Sequence, residues 1–134
     1  MTDPITILIA DDEAHIVYIL EGKLAEAGYR VVTARNGAEA LKLALDHQPA
    51  LAITDLNMPG TDGLEFAIGL RDHPATTDTP VIMLTGRGHT VPDEDRARTN
   101  IQHLESKPFS ARRLLKLVNE VLGAPNASDD VQAA

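Results

Sequence analysis

The residues of this sequence best suited to chemistry stand where apolar runs end. Ile5-Thr6-Ile7-Leu8-Ile9-Ala10 leads into Asp11-Asp12, and Ala50-Leu51-Ala52-Ile53-Thr54 leads into Asp55, followed by Leu56-Asn57-Met58-Pro59-Gly60. Val81-Ile82-Met83-Leu84 ends in Thr85-Gly86, and a weaker run from Ile101 reaches Lys107-Pro108. Open α/β sheets hold ligands in the crevice outside the carboxyl ends of their strands, so these groups are expected along one edge. Crowded carboxylates repel one another and are costly to bury unless protons or a cation neutralise them. An all-oxygen donor set selects a hard cation, and Mg2+ suits one or two carboxylates plus a substrate phosphate. Asp12 and Asp55 are the expected direct ligands, with Asp11 acting through water and the Asn57 carbonyl contributing from the loop. Lys107 and Thr85 then supply an ammonium and a hydroxyl for phosphoryl oxygens. The Asp55 carboxylate is placed to attack phosphorus and form an aspartyl phosphate.

Taken singly, each residue has an ordinary use. Asp11-Asp12 suits a helix N-terminus, Asp55 a turn acid, Thr85 a β-branched strand position and Lys107 a solvated surface. Their conjunction is more telling. Four separate strand ends, each carrying a group needed for metal-assisted phosphoryl transfer, are hard to obtain from capping and solvation alone.

The elements that must position these groups are marked by periodicity. Short apolar runs at 5–10, 29–34, 50–54, 81–85 and 101–106 alternate with stretches of helical period. That pattern predicts an α/β, doubly wound, five-stranded parallel sheet with helices on both faces. Strands buried on both faces should read as continuous Val, Ile and Leu, as all but the fifth run do. Val17, Leu20, Leu24 and Ala27 define a first helix closed by Gly28. Asn36 with Glu39, and Asp62 with Glu65, have the spacing of capping boxes. Ser110 is placed to cap a last helix with an apolar stripe of Leu114, Leu115, Val118, Val121 and Leu122, ending at Gly123. The stretch 90–99 offers little apolar beyond Val91 and Ala97, which predicts a shallowly packed helix that can shift at small cost.

Composition sets the outer bounds. A chain of 134 residues fits one core, and aromatic residues at 3% leave Leu, Ile, Val and Ala to fill it. Twenty acidic against twelve basic residues give a net charge of −8, a sign that opposes direct nucleic-acid binding. No apolar run approaches the length of a membrane span and Met1-Thr2-Asp3-Pro4 lacks the form of a secretion signal, so no membrane insertion and a cytoplasmic location are expected. The absence of Cys removes disulfides and thiolate metal sites. Residues 124–134 show no period and little to bury, and are expected to form a disordered tail after a domain spanning 1–123. His15, His47, His73, His89 and His103 show no metal-ligand spacing.

With these residues in view, the chain resembles the receiver domains of two-component response regulators, of the single-domain, CheY-like type. The resemblance runs from residue 5 to about 122. It rests on Asp11-Asp12, Asp55-Leu56-Asn57-Met58-Pro59-Gly60-Thr61-Asp62-Gly63, Thr85-Gly86 and Lys107-Pro108-Phe109, with 30 positions from Asp55 to Thr85 and 22 from Thr85 to Lys107. It implies strand order 2-1-3-4-5 with five helices and a cis peptide at Lys107-Pro108. It also implies Mg2+-dependent transfer of a phosphoryl group to Asp55 from the phosphohistidine of a sensor histidine kinase or a histidine phosphotransfer protein. The output partner, unknown here, would bind the face made by the fourth helix, fifth strand and fifth helix, where Arg96, Arg98, His103, Leu104, Arg112 and Arg113 stand. Arg87 and Asn57 would tune phosphoryl lifetime, and Gly86 would keep the rim open.

The sequence departs from the family pattern in two places. Leu104 replaces an aromatic residue usual three positions before the lysine, and Asn100-Ile101 replaces Gly-Ala, with Asn the next-best residue for a left-handed helix close. Strand five, Gln102-His103-Leu104-Glu105-Ser106, reads unusually polar. The resulting expectation is a signalling phosphoacceptor that catalyses its own phosphorylation and dephosphorylation, rather than an enzyme acting on other molecules. Alternatives are a degenerate receiver serving as a constitutive interaction module, a Mg2+-dependent phosphohydrolase, and a fragment of a longer regulator.

Overall fold

A computed structural model describes residues 4–86 and 91–123. Five strands, β1 (Thr6–Ala10), β2 (Arg30–Ala34), β3 (Leu51–Asp55), β4 (Val81–Thr85) and β5 (Ile101–Ser106), form one parallel sheet in the order β2-β1-β3-β4-β5. Between and after them lie α1 (Ala14–Glu26), α2 (Gly37–His47), α3 (Gly63–Asp72), α4 (Asp93–Arg96) and α5 (Ala111–Leu122). The expected doubly wound topology is therefore present. Arg87, His89 and the 124–134 tail lie outside the described residues.

Alternation along the strands divides the core into two layers. Ile7, Ile9, Leu51, Ile53, Ile82 and Leu84 face α1 and α5, packing on Val17, Leu20, Leu24, Leu114, Leu117 and Val118. Leu8, Ala10, Ala52, Val81 and Met83 turn the other way toward Ala40 and Ala44 of α2 and Phe66, Ala67 and Leu70 of α3. Alanine supplies six of the fourteen buried residues of the second layer, and Phe66, fully buried, supplies bulk. Both faces of β3 and β4 are covered, and every residue of each is buried.

The helix ends follow the sequence signals with one change of partner. Asp62 and Glu65 form a complete capping box, and the Ser110 hydroxyl accepts from the Arg113 amide at 3.2 Å. Asn36 accepts from the Glu39 amide at 2.8 Å, but the Glu39 carboxylate reaches one residue further, to the Arg35 amide at 2.7 Å. Gly28 and Gly123 take φ of 99° and 68°, conformations that cost an L side chain strain. Asn100 is not left-handed: among the described residues the one non-glycine with positive φ is Gln48, which closes α2. The side chain of Asn100 is used instead. Its amide donates to the carbonyls of Thr77 and Thr79, and its oxygen accepts from Arg71 at 3.2 Å.

Edge position accounts for the polarity of β5. As the last strand it has one neighbour, with a register irregularity between Val81 and Ile82 of β4, and polar groups on an edge discourage further pairing. Glu105, puzzling from sequence, accepts from the Arg113 guanidinium at 2.9 Å and ties β5 to α5. Leu104 is half-buried against the α2–α3 layer. The shallow fourth helix is a single turn of four residues with none buried, while Val91 before it and Thr99 after it are buried.

Candidate functional site

Register delivers the chemical groups to one edge. Ala10 pairs with Thr54, Asp55 with Leu84, and Thr85 with Ser106, so the residues at and just beyond these positions emerge side by side. Backbone bonds carry the alignment past the strands: the Asp11 amide donates to Ala34 O at 3.1 Å, Leu56 to Leu84 O at 2.8 Å, and Lys107 to Thr85 O at 2.7 Å. Helix α3 closes against the same point. Gly63, its first residue, lies so near Asp55 that a methyl group there would overlap the Asp55 carbonyl oxygen. The Lys107-Pro108 peptide is cis.

Lys107 is the hub. Its Nζ lies 3.1 Å from Asp11 Oδ2, 3.1 Å from Glu13 Oε1 and 3.4 Å from Asp55 Oδ2. Asp11 is fully buried and Asp55 is 5% exposed, whereas Asp12 and Glu13 are exposed at the mouth. Asp11 is fixed again through its other oxygen, which accepts from the Glu13 amide at 2.9 Å. Thr85 is buried at the end of β4, and Asn57 is exposed in the loop that follows β3.

The electrostatics follow from burial and crowding. Burial raises Asp55 above the ordinary carboxylate range, the charge of Asp11 raises it further, and Lys107 with the Asn57 backbone pulls it back only in part. Asp11 is also raised, by burial first, against the opposing pull of the Glu13 amide and Lys107. Burial works against the Lys107 ammonium, yet Asp11, Glu13 and Asp55 outweigh it and hold its pKa above the ordinary value. The edge thus carries more negative charge than one ammonium comfortably balances.

Asp11, Asp12, Glu13 and Asp55 each offer a carboxylate oxygen within 4.8 Å of the others. The all-oxygen donor set fits a hard divalent cation. The structure gathers Asp11, Asp12, Asp55 and Lys107 as the sequence predicts, and adds Glu13, which the sequence reading passed over. A third consecutive acid after Asp11-Asp12 was the available signal. Away from this edge, several basic groups expected on the output face have partners within the chain: Arg96 on Ile101 O at 3.5 Å, Arg98 on Asp95 at 3.2 Å and Arg113 on Glu105 at 2.9 Å.

This combination of fold and edge agrees with what comparison with known proteins finds. The chain belongs to the response regulator receiver domain family, whose model matches residues 7–119. It is 38% identical over 131 residues to the phosphate regulon transcriptional regulatory protein PhoB of Pseudomonas aeruginosa, covering 92% of this chain and 54% of that protein. The chain spans about half the length of the curated relatives it matches. Among solved structures, the chemotaxis protein CheY4 of Vibrio cholerae superposes with a TM-score of 0.79 at 31% identity, covering 89% of this chain and 99% of that one. The receiver domain of sensor histidine kinase PA1611 from Pseudomonas aeruginosa has a TM-score of 0.80 at 22% identity over 90% of this chain and 99% of that one; a magnesium ion is coordinated in its active-site cleft. No helix among the described residues is long and apolar enough to cross a membrane.

Proposed function

We propose that this receiver domain takes a phosphoryl group onto Asp55 from the phosphohistidine of a sensor histidine kinase or histidine phosphotransfer protein, and thereby changes its affinity for an output protein. The observation that carries the reading is the placement of Asp55 Oδ2 3.4 Å from Lys107 Nζ, at an edge crowded with further carboxylates. An Asp55 oxygen forms the new bond to phosphorus as the bond to the histidine nitrogen breaks, and the histidine leaves as neutral imidazole after taking a proton. Lys107 and the Thr85 hydroxyl bind equatorial oxygens of the phosphoryl group, which disperses charge where it develops. Mg2+, held by Asp12 and Asp55 with Asp11 through water and the Asn57 carbonyl, would supply further charge neutralisation at the same oxygens. Water attack on the acyl phosphate would return Asp55 to its carboxylate and release inorganic phosphate. The acyl phosphate signals through the α4–β5–α5 face.

The test is intact mass after incubation with acetyl phosphate, with and without Mg2+. Wild type is expected to gain one phosphoryl group in the presence of Mg2+, and Asp55→Asn to gain none. Equal incorporation in Asp55→Asn would overturn the assignment of the acceptor.

A further inference from the structure

Glu13 is not among the groups given a role in the transfer itself, yet it holds the ammonium on which that transfer depends. Its carboxylate takes one hydrogen bond from the Lys107 ammonium at 3.1 Å, as short as the bond to buried Asp11 and shorter than the 3.4 Å separation from Asp55. Lys107 is thus shared between the acceptor and the β1–α1 loop, which supplies two of its three carboxylate partners. The anchors on that side differ in character. Asp11 is fully buried and fixed by the Glu13 amide, whereas the Glu13 side chain is 45% exposed and has a second neighbour, the His15 ring Nε2, at 3.6 Å. Of the two, Glu13 is the one free to let go.

We propose that Glu13 is a positioning residue that restrains Lys107 in the resting state and must release it before the ammonium can meet a phosphoryl group on Asp55. This rests on the reading of Asp55 as the acceptor. An interaction made in the ground state and lost in the transition state raises the barrier between them, so the Glu13–Lys107 pair slows phosphorylation. Removing it leaves Lys107 still oriented by Asp11, because the backbone amide that fixes Asp11 belongs to residue 13 whatever its side chain. Glu13 therefore sets the threshold at which the site responds, separately from the residues that perform the transfer.

Glu13→Gln keeps the size of the side chain and the backbone bond, and its neighbours are solvent on one side. Two measurements test the proposal. In metal-free protein, Lys107 is to be labelled by reductive methylation and quantified by peptide mass; the variant is expected to react about two- to fivefold faster, the scale set by a partly exposed ion pair. With acetyl phosphate at saturating Mg2+, the maximal rate constant for labelling is expected to rise by a similar factor of about two to five, and the gain to vanish in a Lys107→Ala background. Unchanged Lys107 reactivity overturns the restraint. A gain that persists without Lys107, or appears only as a lower half-saturating concentration of acetyl phosphate, assigns Glu13 to repulsion of the donor instead. A higher Mg2+ requirement at unchanged maximal rate assigns it to the cation and likewise overturns the proposal. Faster methylation of Lys107 with no phosphoryl gain in wild type would overturn the reading of Asp55 and leave the restraint standing.

Discussion

The two ends of β4 and β5 carry two polar clusters built on opposite terms. At the carboxyl edge, three carboxylates share Lys107, and burial first, then the charge of a neighbouring acid, raises both Asp55 (beside Asp11) and Asp11 (beside Glu13). At the amino edge, side-chain donors are met by neutral acceptors. Arg71 of α3 donates to Thr99 O at 3.0 Å and to Asn100 Oδ1 at 3.2 Å, Asn100 donates to the Thr77 and Thr79 carbonyls, and the Thr76 and Thr77 hydroxyls donate to Leu70 O and Arg71 O at 2.8 Å. The acceptors there are mostly backbone carbonyls, so the cluster joins the α3–β4 connection to the start of β5 with one charge, that of Arg71, and no crowding of like charges. One edge is left electrostatically unfinished, with carboxylates in excess over its one ammonium; the other has its donors and acceptors paired and ties the frame together. Binding capacity and stability are thus assigned to different ends of the same strands.

Substitutions should separate the two ends by sign. Gly63→Ala is expected to have the largest effect, a loss of about 3 kcal/mol in denaturant unfolding, because the added methyl meets backbone at the end of β3 that cannot move aside. Next is Asn100→Ala, which strands the Thr77 and Thr79 carbonyls and half of the Arg71 fork, for a loss of about 2 kcal/mol. At the opposite edge the sign should reverse. Asp55→Asn removes one buried like charge while Lys107 keeps Asp11 and Glu13, so the metal-free protein should gain about 1 kcal/mol. A loss of stability in Asp55→Asn comparable to that in Asn100→Ala would break the comparison outright.

The pH dependence sharpens it further. Asp55 has a folded-state pKa raised above its ordinary 3.8, so the native state binds its proton more tightly than the unfolded chain does. Its ionisation therefore costs stability at neutral pH, and the cost is relieved as pH falls through the folded pKa toward 3.8. The stability difference between Asp55→Asn and wild type should accordingly shrink from pH 7 toward pH 4, measured without metal. A difference independent of pH would show that the substitution acts through packing rather than charge.

The carboxyl edge was the more legible end in the sequence, and the reason is physical. Asp11, Asp55 and Thr85 each stand at the end of an apolar run and Lys107 at the end of a weaker, more polar one, so strand periodicity and the rule that ligands gather at strand C-termini place them on one edge without any contact being known. Parallel strands with both faces covered leave little freedom in β3 and β4, and their bounds match the runs to within a residue. Glu13 escaped because an exposed acid at a helix start is accounted for by solvation; its bond to Lys107 spans 94 positions, which no local spacing reveals. Asn100 misled for a related reason. Its type suggested a left-handed backbone, but its side chain reaches partners 21 to 29 positions away. Glu105 needed the sheet order before its polarity made sense, since only an edge strand accepts it cheaply.

The four-residue helix α4 has a consequence for how time is distributed in the molecule. None of its four residues is fully buried, and it is held by Arg96 on Ile101 O at 3.5 Å, by buried Val91 before it and by Thr99 and the Arg71–Asn100 cluster after it. Strand β4 next to it is buried and paired on both sides and can open only when the sheet does, whereas this turn can unwind and reform many times between such events. Amide exchange should therefore be fast across Asp95–Ala97 and slow in β4, so that this turn fluctuates on a clock set locally, not by the rest of the fold.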